Sequence, residues 1–593
     1  MARALRQLDD EVLERPFNKN QFIRILGYLK PYRKQVFLSL LAMTAATFAG
    51  LGSPFLMSRA VGILSEGRMD GLWLILLGMG LLAGAGAILT RLRVRLMDTS
   101  GRKALATLRE DLFRHIQSLS FSFFDTHSAG KILVRVVNDV DALNDLFTNG
   151  IINVLIDTFT ILLLLVITLA ISWQLTLIGL CIMPLLILII FRFKQTMRKK
   201  WQIVRSKRSN MNGYLHEALS GMRVTQAFVR EEENARIFEG ANDDIRARWL
   251  NAIRYNAAFW PALDVTGTLG TVLVYFFGVR YMDAGLRLED LLLVLWYLNR
   301  FWQPLNTMSN FYNSLLTASA SMERIFEIMD EQPKVKDSQN ARPLPRIQGH
   351  VQFENVSFFY SPDKTVLREV DLDILPGQTV ALVGETGAGK TTIVNLISRF
   401  YDVTAGAVLI DGHDLREVTL DSLRSQMSVM QQESFTFSGT IMENIRYGRL
   451  GARDDEVIAA ARAVGADEFI SRLPKGYQSE VSERGTSLST GQKQLVSFAR
   501  AMLNDPRILI LDEATSSIDT RTEMQIQNAL EVLLNGRTSF VIAHRLSTIR
   551  KADLILVVEE GRIIEKGSHY ELLRLPGGRY RALCEAQVQF INS

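Results

Sequence analysis

In the eight residues Gly384-Glu385-Thr386-Gly387-Ala388-Gly389-Lys390-Thr391, three glycines precede a lysine and a hydroxyl at fixed spacing. Glycines let successive backbone N–H groups turn inward around anionic oxygens, and a following helix adds the favourable end of its dipole. Lys390 can then reach the outer phosphates of a nucleoside triphosphate, and Thr391 can offer its hydroxyl to Mg²⁺. The apolar run Thr379-Val380-Ala381-Leu382-Val383 comes just before, and Thr392-Ile393-Val394-Asn395-Leu396-Ile397 follows. The loop therefore sits where a strand turns into a helix, which is the context this chemistry requires. Gly384 to Thr392 are the expected nucleotide contacts.

Further along, Arg507-Ile508-Leu509-Ile510-Leu511-Asp512-Glu513 is a continuous apolar run ending in two carboxylates. Such a run suits a parallel strand covered on both faces, and ligands in such sheets lie at the strands' carboxyl ends. Asp512 is placed to hold Mg²⁺ through water. Glu513 can reach the water that attacks a γ-phosphate, as base or positioner. Between these elements, Ser487-Leu488-Ser489-Thr490-Gly491-Gln492-Lys493-Gln494 is a small, hydroxyl-rich turn opening a helix, a second anion site. The chain's own phosphate loop does not require it, so it serves another nucleotide.

Taken together, these segments resemble the nucleotide-binding domain of an ABC transporter, in which the L-S-G-G-Q signature of one domain closes over ATP held by a second. The resemblance covers about residues 350 to 585. It implies that Ser489, Gly491 and Gln492 contact a partner's ATP. Tyr360, in Val356-Ser357-Phe358-Phe359-Tyr360, matches the aromatic that stacks on adenine. Gln432, with Gln431 beside it as the alternative, matches the Q-loop glutamine that contacts Mg²⁺. Glu483-Arg484-Gly485 resembles the exporter loop that touches coupling helices, Asp519 the D-loop aspartate, and His544 the switch histidine on the γ-phosphate. Glu513, His544 and Gln432 are thus the expected catalytic residues. Thr391, Gln432 and Asp512 are the expected Mg²⁺ contacts, with ATP and Mg²⁺ as cofactors.

The chain before Glu331 has a different character. With 48% hydrophobic residues in 593 and a mean hydropathy of +0.11, it is too apolar for a purely soluble enzyme. Long apolar stretches fall at about Val36–Met57, Leu72–Leu89, Ile151–Ile171, Leu175–Phe191, Ala257–Val279 and Leu291–Trp302. A helix needs roughly 20 apolar residues to cross about 30 Å of hydrocarbon. Five stretches approach that length, and the last does so only when read past Pro304. Lys and Arg crowd Phe191–Asn210 and the segment before the first span, whereas the opposite-side connections hold only Arg68. The basic side is cytoplasmic, and the net charge of +5 is juxtamembrane rather than a nucleic-acid footprint. Asn20–Lys34 reads as an interfacial elbow helix, and Cys181 and Cys584 are too far apart to frame a disulfide or metal site.

The expected architecture is multi-domain: residues 1–19 an N-terminal extension, 20–330 an all-α six-helix transmembrane domain, 331–349 a linker, and 350–593 an α/β P-loop nucleotide-binding domain with a helical subdomain. Phe123-Phe124-Asp125 to Gly130, and Thr225 to Glu231, resemble coupling segments of type IV exporters. Asp157 and Asp264 lie inside apolar runs, where one could line a pathway favouring cationic substrates or both could rest at helix contacts or the interface. The family reading is a half-size exporter in the cytoplasmic (inner) membrane, moving hydrophobic or amphipathic small molecules, with a second half-transporter and membrane lipids as partners. Thr490 stands where the signature usually has glycine, while Glu513 and His544 are present. That asymmetry resembles the catalytic-Glu subunit of heterodimeric bacterial multidrug exporters. A homodimeric lipid flippase and an ATP-gated channel are the alternatives.

Replacing Glu513 by Gln should leave ATP binding intact and lower steady-state hydrolysis by roughly 10²-fold or more, the scale of a general base. Lys390→Ala should instead lose binding. Nucleotide binding and phosphate release measured on both variants check the assignment.

Overall fold

Proline cuts the apolar half of this chain at a fixed offset. The computed structural model of the protein describes residues 18–592 apart from 284, 363, 432–433, 483–486, 513–519 and 544–545. Helices Lys19–Gly27, Trp173–Leu180 and Leu288–Arg300 each end four residues before a proline: Pro31, Pro184 and Pro304. A proline lacks the N–H that would bond the carbonyl four residues back, and its ring crowds that carbonyl. The elbow helix expected to Lys34 therefore stops at Gly27, and the sixth apolar stretch is divided at Phe301 into Leu288–Arg300 and Trp302–Met329.

Pro54 behaves differently, because helix Arg33–Ser65 runs through it. The carbonyl that Pro54 cannot satisfy belongs to Gly50, and Arg300 donates Nη1–H to it at 2.8 Å. Tyr297 donates its hydroxyl to the next carbonyl, Leu51, at 2.9 Å. Away from water an unpaired carbonyl costs several kcal/mol, so the neighbouring helix keeps this one continuous.

Among the described residues, five helical segments are long and apolar enough to cross a membrane: Lys30–Ser65, Leu72–Ser118, Ile152–Ile171, Trp173–Ser220 and Glu231–Met282. Three run far past the hydrocarbon thickness as charged extensions, at 47, 48 and 52 residues. The helices assemble with Tyr297, Phe301, Leu293, Leu51 and Leu164 in one buried cluster and Val274, Leu291, Val294 and Leu175 in another. At membrane depth Arg93 donates to Asn153 Oδ1 at 2.7 Å and is electrostatically paired with Asp157. Asp157 thus has a counter-charge inside the protein, whereas Asp264 is exposed.

Below the spans, Asp139 is almost fully buried between Arg135, Arg324 and Ser321; Arg324 Nε donates to it at 3.0 Å and Arg135 Nη1 at 2.9 Å. Burial pushes the Asp139 carboxyl up, but the hydrogen bonds from Arg324 and then Arg135 outweigh it and hold the carboxyl below its ordinary value. Its stabilisation is present at neutral pH and fades as pH falls through that lowered value.

This membrane unit comprises Met1–Gln117 and Ala129–Glu331; the second unit is Gln332–Ser593 with the separate segment Ser118–Ser128. At the centre of the second unit is a six-stranded sheet in the order Arg562–Gly567, Leu554–Glu559, Thr379–Val383, Thr538–Ile542, Ile508–Asp512, Met427–Met430. All neighbours pair parallel except the first two. Strands Ile508–Asp512 and Thr538–Ile542 are buried along nearly their whole length, as parallel strands covered on both faces are. A four-stranded antiparallel sheet is led by Lys364–Ile374 and Val351–Ser361. A helical layer of Ile441–Arg446, Asp454–Ala463 and Thr490–Asn504 packs through Ile445, Val457, Ala461, Leu495 and Ala499.

The stretch 331–349 does more than join the units. Leu344 and Ile347 are buried, Leu344 N–H donates to Ser422 Oγ, Ile347 N–H to Gln426 Oε1, and Arg342 bridges Val418. With Val335, its polar composition hides three buried hydrophobic residues.

Asp139→Ala should destabilise the membrane unit by about 3 kcal/mol, because Arg135 and Arg324 would be left facing a buried gap. A lower thermal midpoint of the solubilised protein is the expected readout.

Candidate functional site: a nucleotide edge on the parallel sheet

Strand register decides which residues meet. Ile542 lies opposite Leu382 on one side and Asp512 on the other, and Leu511 lies opposite Met430. The residues that follow these positions leave the sheet at one carboxyl edge: Gly384 onward, Gln431 onward and Ala543 onward. Gln432, Glu513, Asp519 and His544, together with Glu483-Arg484-Gly485, lie outside the described residues.

Gly384 turns out of its strand at φ +153°, and a Cβ there would stand 2.1 Å from the Val558 carbonyl oxygen. No side chain fits, and none is found. The loop ends at Gly389, in the left-handed conformation, and Lys390 begins helix Lys390–Ile397. Lys390 is 8% exposed and donates Nζ–H to the Gly384 and Glu385 carbonyls at 2.7 and 2.8 Å. Burial pushes the Lys390 ammonium below its ordinary value, and the Asp512 charge opposes that shift. Among the described residues this buried cation is hydrogen-bonded to two neutral carbonyls, an arrangement that leaves a strong field for an anion. Thr391 is exposed at the helix start and Ala388 is buried, while Glu385, Thr386 and Gly387 form the exposed lip.

Tyr360 stands at the end of strand Val351–Ser361, 48% exposed, its hydroxyl 3.1 Å from Thr392 Oγ1. Edge contacts from Phe358 and Tyr401 fix its ring. An exposed aromatic tied to the loop's own helix is well placed to stack on a base.

Ser489 caps helix Thr490–Asn504; it accepts from Gln492 N–H at 3.3 Å and donates its own N–H to Gln492 Oε1 at 3.0 Å. Gly491 is buried, and a Cβ there would meet Thr522 Cγ2 at 2.2 Å. Thr490 is exposed as the first helical residue and does not have the positive φ that would require glycine. The expected backbone restriction is therefore absent, and the side chain's bulk is the remaining difference from glycine.

The first of the two segments singled out as resembling coupling segments belongs to this unit, and the sequence did not show which residues receive it. Helix Phe121–Thr126, from the separate segment, stacks Phe121 on Phe400 at 4.9 Å, joins Asp125 to the Tyr401 hydroxyl, and ties Ser120 Oγ to Val335 N–H. Burial, then Asp125, pushes the Tyr401 hydroxyl up. Phe400 and Tyr401 come just after the far end of the phosphate-loop helix, and Tyr401 also makes an edge contact with Tyr360 at 5.0 Å, so the segment packs beside the helix that carries the loop. The second such segment, helix Met222–Ala227 in the membrane unit, leaves Val224, Phe228 and Val229 exposed at 62, 72 and 81%.

Comparison with known proteins bears on the same residues. The profile described as "ABC transporter transmembrane region" matches residues 36–305, and that described as "ABC transporter" matches 367–516. The chain belongs to the ABC transporter family. It is similar to the "Uncharacterized ABC transporter ATP-binding protein YknV" of Bacillus subtilis (strain 168), at 46% identity over 98% of this chain and 96% of the relative. It is also similar to an "ATP-dependent lipid A-core flippase" of Syntrophus aciditrophicus (strain SB), at 40% identity over 84% and 82%. Among solved structures, a bacterial Atm1-family ABC exporter with ATP bound superposes with a TM-score of 0.76, at 30% identity, covering 94% of this chain and 98% of that one. The transporter is accordingly a multi-pass membrane protein of the type IV exporter fold that binds nucleotide and couples ATP hydrolysis to transport.

Gly491→Ala should overpack the contact with helix Thr520–Leu534, destabilising the transporter by about 1–3 kcal/mol and lowering ATPase activity. Thr490→Gly, at an exposed first helical position, should leave the thermal midpoint within a few degrees. Melting curves of the two variants, side by side, test the packing argument.

Proposed function

We propose that the transporter is one half of a dimeric exporter that uses Mg²⁺ and ATP to move hydrophobic or amphipathic molecules across the cytoplasmic membrane, and that its partner is a different chain. Supporting this reading is the contrast between an unaltered phosphate loop next to Asp512 and a signature whose Thr490 stands exposed at the point of phosphate approach. Exporters of this fold work as dimers, and the exposed Val224, Phe228 and Val229 suit a second subunit's ATPase surface. The lysines and arginines of residues 192–208 favour a cytoplasmic ATPase unit and cytoplasmic termini.

In this mechanism Lys390 moves from the Gly384 and Glu385 carbonyls to the β- and γ-phosphates, while Tyr360 takes the adenine. Thr391 and Asp512 offer hard oxygen ligands suited to Mg²⁺, assisted by Gln432; when bound, the ion neutralises charge between the outer phosphates. Glu513 positions or deprotonates the attacking water, and His544 contacts the γ-phosphate. Ser489, Gly491 and Gln492 cover the nucleotide held by the partner. Segment 118–128, continuous with the spanning helix Leu72–Ser118, carries closure of the ATPase units into the membrane helices, and hydrolysis reopens them.

The named flippase relative favours a second reading, a homodimer that turns lipids over. Purifying the chain alone and measuring ATPase activity decides between them. The heterodimer reading expects little steady-state hydrolysis until a second half-transporter is added. Vigorous, cooperative turnover by a homogeneous homodimer would overturn it and leave the flippase.

A further inference from the structure

We infer that Arg579, from the C-terminal helix Arg579–Asn592, is a positioning residue of the ATP site: it masks the charge of Glu385 inside the phosphate loop. A carboxylate at the first variable position of such a loop is an electrostatic anomaly, because the loop's task is to hold several negative charges. Glu385 is committed to the loop through its backbone, whose carbonyl accepts from Lys390 Nζ at 2.8 Å. Its side chain, 69% exposed, meets Arg579 Nη2 at 2.5 Å. Arg579 Nε also pairs with Glu559 at 2.9 Å, so the guanidinium spans the gap from the phosphate loop to the end of the neighbouring strand.

The arginine is held in place by more than these two carboxylates. Glu565 accepts from Arg579 N–H at 2.5 Å and from Tyr580 N–H at 3.0 Å, which caps the helix with a charge of the favourable sign. Tyr580 is fully buried, its hydroxyl 2.6 Å from His569 Nδ1. An exposed ion pair is ordinarily worth little because two mobile side chains must be ordered to form it. Here one partner's backbone is clamped by burial and the other's belongs to a rigid loop, so much of that ordering is already done. The consequence is that nucleotide affinity depends on a helix beyond the last ATPase motif, through charge rather than through contact with ATP.

The test uses the full-length transporter in lipid nanodiscs, reading ATPase activity against ATP concentration. Arg579→Ala should raise KM for ATP by roughly 3- to 10-fold with kcat within about 2-fold, the scale of one partly screened charge. Glu385→Gln alone should move KM the opposite way, down by about 2-fold, and the double variant should return to or below the wild-type KM. The Arg579→Ala defect should also shrink between about 50 and about 500 mM salt, since exposed charges are screened over that range. A KM that is unchanged in Arg579→Ala, or a defect that persists in the Glu385→Gln background or at high salt, overturns the inference. If Arg579→Ala does not fold, Glu385→Gln alone still decides, because a KM that rises contradicts charge masking. Lys390→Ala, which should abolish binding, separates failure of this inference from failure of the phosphate-loop assignment.

Discussion

Phosphoryl transfer sets the constraint on the second half of this chain: the groups that carry it must meet within a few ångströms, although the motif segments run from residue 384 to residue 544. A parallel sheet meets that constraint because every strand delivers its carboxyl end to the same edge. Leu382, Ile542 and Asp512 stand side by side in register, with Met430 beside Leu511. Slipping one strand by a residue would exchange its faces and carry its loop off the edge. The buried strands that build the core therefore also set where each following loop leaves the sheet.

A different constraint governs the membrane half, where no water is present to satisfy a freed carbonyl. Pro31, Pro184 and Pro304 end helices, and the chain turns, whereas Pro54 is bridged because Arg300 and Tyr297 reach across from a neighbouring helix. The same residue type produces a stop or a continuation depending on whether a donor waits four residues upstream.

Features local in sequence were legible. The phosphate loop, the Asp512 strand and the signature are each read from fewer than a dozen consecutive residues, and the apolar runs announced the helical membrane half. What escaped depends on distant partners. Nothing around Phe121 or Asp125 tells that Phe400 and Tyr401 receive them, and a polar composition concealed the burial of Leu344 and Ile347. The break at Phe301 follows from Pro304, but the continuity at Pro54 required knowing where Arg300 points. Thr490 taught the opposite lesson. Its departure from glycine was visible, yet its helical backbone removes the strain that the residue type alone suggested.

The segment Ser118–Ser128 has a consequence in time. It belongs to a unit whose remaining sequence begins at Gln332, and its Phe121 stacks on Phe400 there. Asp125 precedes Tyr401 by 276 residues, so at synthesis rates of about 5–20 residues per second the segment emerges on the order of 15 to 55 s before its dock exists. The ATPase unit cannot complete its packing as an autonomous nascent domain. It finishes around a piece laid down earlier, after the helices on either side of that piece have been made, and the order of translation thereby places membrane insertion ahead of ATPase maturation.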